Sequence, residues 1–99
     1  MSKIKLLSAV IVTGAGSALS LNTDVSSFQA SVVGTGAVTA TVTIESYDGV
    51  AWATVGTITL SGTTSASDTL TLVGRYDSVR ANVTAISGTG AAVTATLLV

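Results

Sequence analysis

Residues 37–45 read Ala37-Val-Thr-Ala-Thr-Val-Thr-Ile-Glu45, an unbroken alternation of apolar and mainly hydroxyl-bearing side chains. Successive side chains of a β-strand point to opposite faces of the sheet. In a strand, one face of this segment carries Val38, Ala40, Val42 and Ile44, and the other carries Thr39, Thr41, Thr43 and Glu45. The pattern predicts an antiparallel strand with one buried face and one hydroxyl-lined wet face.

The same period of two recurs on both sides of this segment, and short glycine-rich turns separate the runs. Asp48-Gly49 indicates a tight hairpin, because a type I′ turn needs positive φ angles. Gly34-Thr-Gly36 and Gly88-Thr-Gly90 indicate two similar hairpins rather than a duplicated unit. We predict strands near residues 3–12, 18–21, 26–34, 37–46, 51–60, 67–73, 78–87 and 91–99. Seven or eight short strands predict an all-β chain, a single antiparallel β-sandwich with a jelly-roll-like arrangement.

The N-terminal residues 1–13 are expected to form a strand or an extended arm ahead of the sandwich domain, residues 14–99. The same segment also has the organisation of a signal peptide, with two lysines followed by the apolar run Leu6–Val12. We favour the strand or arm, because the run is short for a signal and contains Ser8. No run approaches the ~20 apolar residues of a membrane-spanning helix, so no membrane partner is expected.

The composition argues against most chemistries. The chain has no His, no Cys and no Pro, and its four basic and five acidic side chains give a net charge of −1. The chain therefore lacks the residues of a Ser-His-Asp triad and of the usual zinc and haem sites. It also has few cationic side chains that could contact nucleic-acid phosphates. The five acids are scattered, without the clustering of a calcium loop. We expect no enzyme activity, no cofactor, no metal site and no nucleic-acid binding.

Few large side chains are available for the core, because only four residues are aromatic. We predict that Phe28 and Trp52 anchor it, and that Trp52→Ala costs about 3–5 kcal/mol if the ring is buried. Arg75, Tyr76 and Arg80 are candidate interface residues, because Arg and Tyr are enriched in binding hot spots. The alternative is local, with an Arg75–Asp77 ion pair and a tyrosine packed at a sheet edge. A second candidate interface is the arm, in which Ile4, Leu6 and Leu7 would add a strand to a neighbouring sheet.

Four motifs in a fixed order resemble a known class of protein. They are Ser46-Tyr-Asp-Gly-Val-Ala-Trp52, Gly56-Thr-Ile-Thr-Leu-Ser-Gly-Thr63, Tyr76-Asp-Ser-Val-Arg-Ala81 and Ile86-Ser-Gly-Thr-Gly90. Over residues 14–99 the chain resembles small β-sandwich structural proteins encoded among the virion genes of tailed bacteriophages. A looser resemblance, to discoidin-like jelly rolls that bind galactose, implies an architecture and no ligand residues.

The first resemblance implies a virion component made in the host cytoplasm. Its most concrete form is a capsid decoration (cement) protein on the head surface, contacting the major capsid protein and copies of itself as a homo-oligomer such as a trimer. Only 9% of the residues are charged, against roughly 25% in an average soluble domain. Such a surface packs against protein with little charge to desolvate. The alternative is a tail, neck or fibre-associated binding module that contacts host glycans.

Overall fold

In the computed structural model, which describes residues 3–20, 25–74 and 76–98, the chain is all-β, as the sequence predicts. The strands are β1 (Lys3–Val10), β2 (Gly14–Ala15), β3 (Leu19–Ser20), β4 (Val25–Val33), β5 (Val38–Tyr47), β6 (Trp52–Gly62), β7 (Ser65–Val73), β8 (Ser78–Ser87) and β9 (Ala92–Leu98). Eight of these strands correspond to the eight predicted from the sequence, and the two-residue strand β2 was not predicted. No helix in these ranges is long and apolar enough to cross a membrane.

The strands form two antiparallel sheets that pack face to face. One sheet has the order β1-β9-β4-β7, and the other has the order β2-β8-β5-β6, with β3 also paired to β8. If β2 and β3 are counted as one interrupted strand, the orders become 1-8-3-6 and 2-7-4-5. That is the strand order of a jelly roll, which closes a sandwich from two Greek keys.

The core lies between the sheets and consists mainly of small aliphatic side chains. The fully buried residues with the largest side chains are Phe28, Ile44, Leu97, Val32, Val38, Val42, Val79, Val83 and Val93. Phe28 is 1% exposed, as expected of a core anchor. The alternation in residues 37–45 holds as predicted up to Ile44, with its apolar side chains buried and its threonines facing outward.

The N-terminal segment is a strand of the chain's own sheet. β1 pairs with β9 from Lys3↔Leu98 to Val10↔Val93, with two register shifts between those ends. Because one shift falls between Lys5 and Leu7, the consecutive residues Leu6 and Leu7 are both buried in the core. The predicted contact of Leu6 and Leu7 with a neighbouring chain is therefore wrong, and Ile4 is half-buried against the same core.

One core position carries an unpaired hydroxyl. Ser26 is 2% exposed, and its Oγ has no hydrogen-bond partner among the described residues. Since a buried polar group without a partner costs about 1–3 kcal/mol, we expect Ser26→Ala to raise the free energy of unfolding by about 1 kcal/mol in urea titrations. Ser27→Ala is the matched control, because the Ser27 Oγ lies 3.3 Å from the Thr71 Oγ1. A loss of stability in Ser26→Ala would contradict the conclusion that the Ser26 hydroxyl is buried without a hydrogen-bond partner.

Candidate functional site

Three strands bring the most chemically distinctive side chains together at one end of the five-stranded sheet. β5 ends there, and β6 and β8 begin there, with pairings Tyr47↔Trp52 on one side and Glu45↔Arg80 on the other. Directly paired residues share a face of the sheet. The outer face at this end therefore carries Glu45, Tyr47, Trp52, Arg80 and Asn82, which we call the outer-face cluster.

The β5–β6 hairpin fixes one half of the cluster. The Asp48 Oδ1 accepts hydrogen bonds from the backbone N–H groups of Val50 (2.8 Å) and Ala51 (2.9 Å), and Gly49 has a φ of 100°. The bonds from Ala51 and Val50 hold the pKa of Asp48 below its ordinary value. The Tyr47 hydroxyl donates to the carbonyl of Gly49 at 3.1 Å. The hairpin predicted at Asp48-Gly49 is present, but its loop is residues 48–51, in which only Gly49 has a positive φ, and not a two-residue type I′ turn. This loop places Tyr47 opposite Trp52.

A partly buried ion pair joins β5 to β8. The Arg80 Nε donates to the Glu45 Oε1 at 2.7 Å, and the Asn82 Nδ2 donates to the Glu45 Oε2 at 3.3 Å. Glu45 is 13% exposed and Arg80 is 26% exposed. Both carboxylate oxygens of Glu45 are therefore occupied, and the opposite charges balance each other within the cluster.

Trp52 packs on this ion pair and not in the core. The central carbon of the Arg80 guanidinium lies 4.2 Å from the ring centroid of Trp52, a cation–π contact. The Tyr47 ring lies 5.1 Å away on the other strand, tilted by 35°. Trp52 is half-buried and is absent from the core cluster.

The prediction that Trp52 anchors the core is therefore wrong, and a β-bulge explains the error. Ile44 pairs with Gly56, whereas Glu45 pairs with Thr54, so Val55 is an extra residue in β6. Ile58 and Leu60 face the core, and an unbroken alternation would turn Trp52 inward as well. The extra residue reverses the side-chain orientation before it in the strand.

Because Trp52 lies on the outer face, its removal should cost less than a core deletion. A cation–π contact at a partly exposed site contributes about 0.5–2 kcal/mol, and an aromatic pair contributes about 0.5–1.5 kcal/mol. We expect Trp52→Ala to lower the free energy of unfolding by about 1–2 kcal/mol. Urea titration followed by circular dichroism measures this, and a loss of about 4 kcal/mol or more would indicate a core role after all.

The structure separates the other predicted interface residues. Arg80 belongs to the outer-face cluster, whereas Tyr76 is half-buried against the core, and Arg75 lies outside the described residues. Sequence reasoning did not group Glu45, Tyr47 and Trp52 into a site. The Asp48-Gly49 turn was the available signal for Tyr47 and Trp52, but nothing local indicates that β5 pairs with β8.

The cluster combines residue types that are common in protein-binding surfaces. Trp, Tyr and Arg are the residue types enriched in protein-binding hot spots, and Tyr47 is 37% exposed. Within residues 3–20, 25–74 and 76–98, no three acidic side chains come together in a way that could hold a metal ion. Comparisons of the chain with protein-family models, with curated proteins and with solved structures find no match.

Proposed function

We propose that this chain is a structural protein of a tailed-bacteriophage particle, a capsid decoration protein that stabilises the head. Its partners would be the major capsid protein and copies of itself. The observation that carries the proposal is the distribution of side chains over the surface. The outward positions of β5 and β6 are mostly threonine and serine, and the exposed Tyr47 forms one patch with the half-buried Trp52 and Arg80.

Such a surface suits burial against protein. Hydroxyl groups can exchange water for hydrogen bonds at an interface, and few charges have to be desolvated. The internally neutralised Glu45–Arg80 pair adds little net charge at the patch where we place the contact. The proposal of a tailed-bacteriophage particle rests on the order of the motifs in residues 14–99, which resembles that of small virion structural proteins.

Exposed aliphatic side chains support an assembly role. Val25 and Val73 are paired neighbours on β4 and β7, and both are exposed. Val50, at the tip of the β5–β6 hairpin beside the cluster, is also exposed. Three further aliphatic side chains are exposed as well, those of Ile11, Val12 and Val33. Apolar surface of this extent on a small domain is typical of surfaces that partners cover.

The test is the location and copy number of the chain in purified particles. Quantitative mass spectrometry should find it on heads in numbers comparable with the major capsid protein. We expect Trp52→Ala to lose head binding and the matched control Thr39→Ala, on the same sheet face, to keep it. Absence of the chain from purified particles would overturn the proposal, and presence only on tails would favour the second candidate below.

That second candidate is a tail- or fibre-associated module that binds host glycans. The observation in its favour is the exposed Tyr47 ring, which packs against Trp52, itself in contact with the Arg80 guanidinium. An aromatic face next to polar groups suits the apolar and hydroxylated sides of a sugar. A glycan array would show binding that Tyr47→Ala abolishes and that Thr39→Ala retains, whereas an array without signal would rule this candidate out.

A further inference from the structure

The edge strands of the two sheets differ in how well they are protected from pairing with another chain. β6 is the last strand of the five-stranded sheet, and its eleven residues, Trp52–Gly62, include no charged side chain. Long edge strands without charge are templates for further strand pairing, and natural proteins usually block them with charges, prolines or bulges.

The other edges carry such protection. β1 has the exposed Lys5 and two register shifts, and β2 and β3 are only two residues long. β7 carries the exposed Asp68 near its middle, where antiparallel pairing with a second β7 would bring two carboxylates together. Within the described ranges, β6 is the edge open to another strand from Gly56 onward, past its bulge at Val55.

The regular part of β6 has the same pattern of residue types when it is read in either direction. Residues 56–62 read Gly-Thr-Ile-Thr-Leu-Ser-Gly, so glycine, hydroxyl and aliphatic residues recur symmetrically about Thr59. Ile58 and Leu60 face the core, and Thr57, Thr59 and Ser61 are exposed on the outer face. This symmetry matches a two-fold contact, in which residue i meets residue j and j meets i.

We propose that β6 pairs antiparallel with β6 of a second copy of this chain across a two-fold axis at Thr59. The two five-stranded sheets then form one continuous sheet. Thr59 faces Thr59 of the second copy, Thr57 faces Ser61, Ile58 faces Leu60, and Gly56 faces Gly62. Cross-strand pairs of hydroxyl residues and of β-branched or aliphatic residues stabilise antiparallel sheets. The biological meaning of this pairing rests on the structural role proposed above. The pairing adds to that role the surface through which copies of the chain join.

Sedimentation velocity of the full chain over a dilution series tests the pairing. We expect a monomer–dimer equilibrium that Thr59→Lys weakens by about tenfold or more, because the two lysines lie opposite each other at the axis. Thr39→Lys is the matched control, since Thr39 is exposed on the same face but belongs to the inner strand β5. A monomer at every concentration, or equal dimerisation of the two variants, would overturn the proposal.

Disulfide trapping tests the register independently of variant stability. The natural chain has no cysteine, so Thr59→Cys introduces a single thiol that faces its own copy at a distance a disulfide can span. Mild oxidation should convert Thr59→Cys to a covalent dimer, whereas Thr57→Cys and Thr39→Cys should cross-link only slowly. Equal rates for all three would overturn the register. These experiments need no phage particle, so their failure leaves the particle-location test of the proposed function unaffected.

Discussion

Replacing Phe28 with alanine should lower the free energy of unfolding by about 3–5 kcal/mol. Phe28 is 1% exposed, and its strand neighbours in register are Leu70 on β7 and Leu97 on β9. Most other fully buried side chains are valines, so the Phe28 ring is the largest single contribution to the core and its removal leaves a large cavity. Small domains have total stabilities of about 5–15 kcal/mol, so the variant should lose a large fraction of the stability of the chain.

Urea titration followed by far-ultraviolet circular dichroism measures the Phe28→Ala effect. Gln29→Ala is the matched control, since Gln29 is the next residue of β4 and is exposed on the opposite face. We expect the control to stay within about 0.5 kcal/mol of the natural chain. A loss below about 1.5 kcal/mol in Phe28→Ala would mean that the core repacks around a smaller side chain.

Strand positions and buried faces were predictable where the signal is local. The alternation from Val38 to Ile44 reports burial directly, because side chains on a pleated strand must point to alternate faces. The presence of a hairpin at Asp48-Gly49 was predictable for a similar reason, since Asp and Gly favour turns by their own chemistry, although the type I′ geometry expected there is replaced by a four-residue loop.

The two hairpins predicted at Gly34-Thr-Gly36 and Gly88-Thr-Gly90 are wrong, because each of these turns joins strands that belong to different sheets. The errors in side-chain orientation occur where a register shift interrupts the alternation. The extra residue Val55 turns Trp52 outward, and the shift between Lys5 and Leu7 lets Leu6 and Leu7 both enter the core. A bulge depends on pairing with another strand, so the period of one strand does not reveal it.

The outer-face cluster was unpredictable for a related reason. Glu45 meets Arg80 only because β5 pairs with β8, and 35 residues separate the two positions in the sequence. Sequence reasoning singled out Arg80 for its residue type alone. Its actual partners, Glu45 and Trp52, depend on long-range strand order, which the spacing of apolar residues does not encode.

Substituting Gly88 by alanine should also be strongly damaging, because this position requires glycine for two reasons. Gly88 has a φ of 119°, a region that side-chain-bearing residues rarely adopt. A Cβ there would also lie 2.5 Å from the carbonyl oxygen of Ala37 and 3.0 Å from the Cα of Val38. Both contacts are with backbone at the start of the central strand β5, so relief requires the chain itself to move.

We expect Gly88→Ala to lower the free energy of unfolding by about 2–4 kcal/mol, since backbone strain of about 1–3 kcal/mol adds to the displaced contact. The second Gly-Thr-Gly turn provides the control. Gly36 has no neighbour within 4 Å of an added Cβ, so Gly36→Ala should change stability by no more than about 0.5 kcal/mol. The two turns touch, because the Thr35 N–H donates to the Thr89 carbonyl at 3.0 Å. Thermal and urea denaturation measure both variants. Equal stability of Gly88→Ala and Gly36→Ala would contradict the prediction, because it would mean that the turn at Gly88 accepts a Cβ without displacing the backbone of β5.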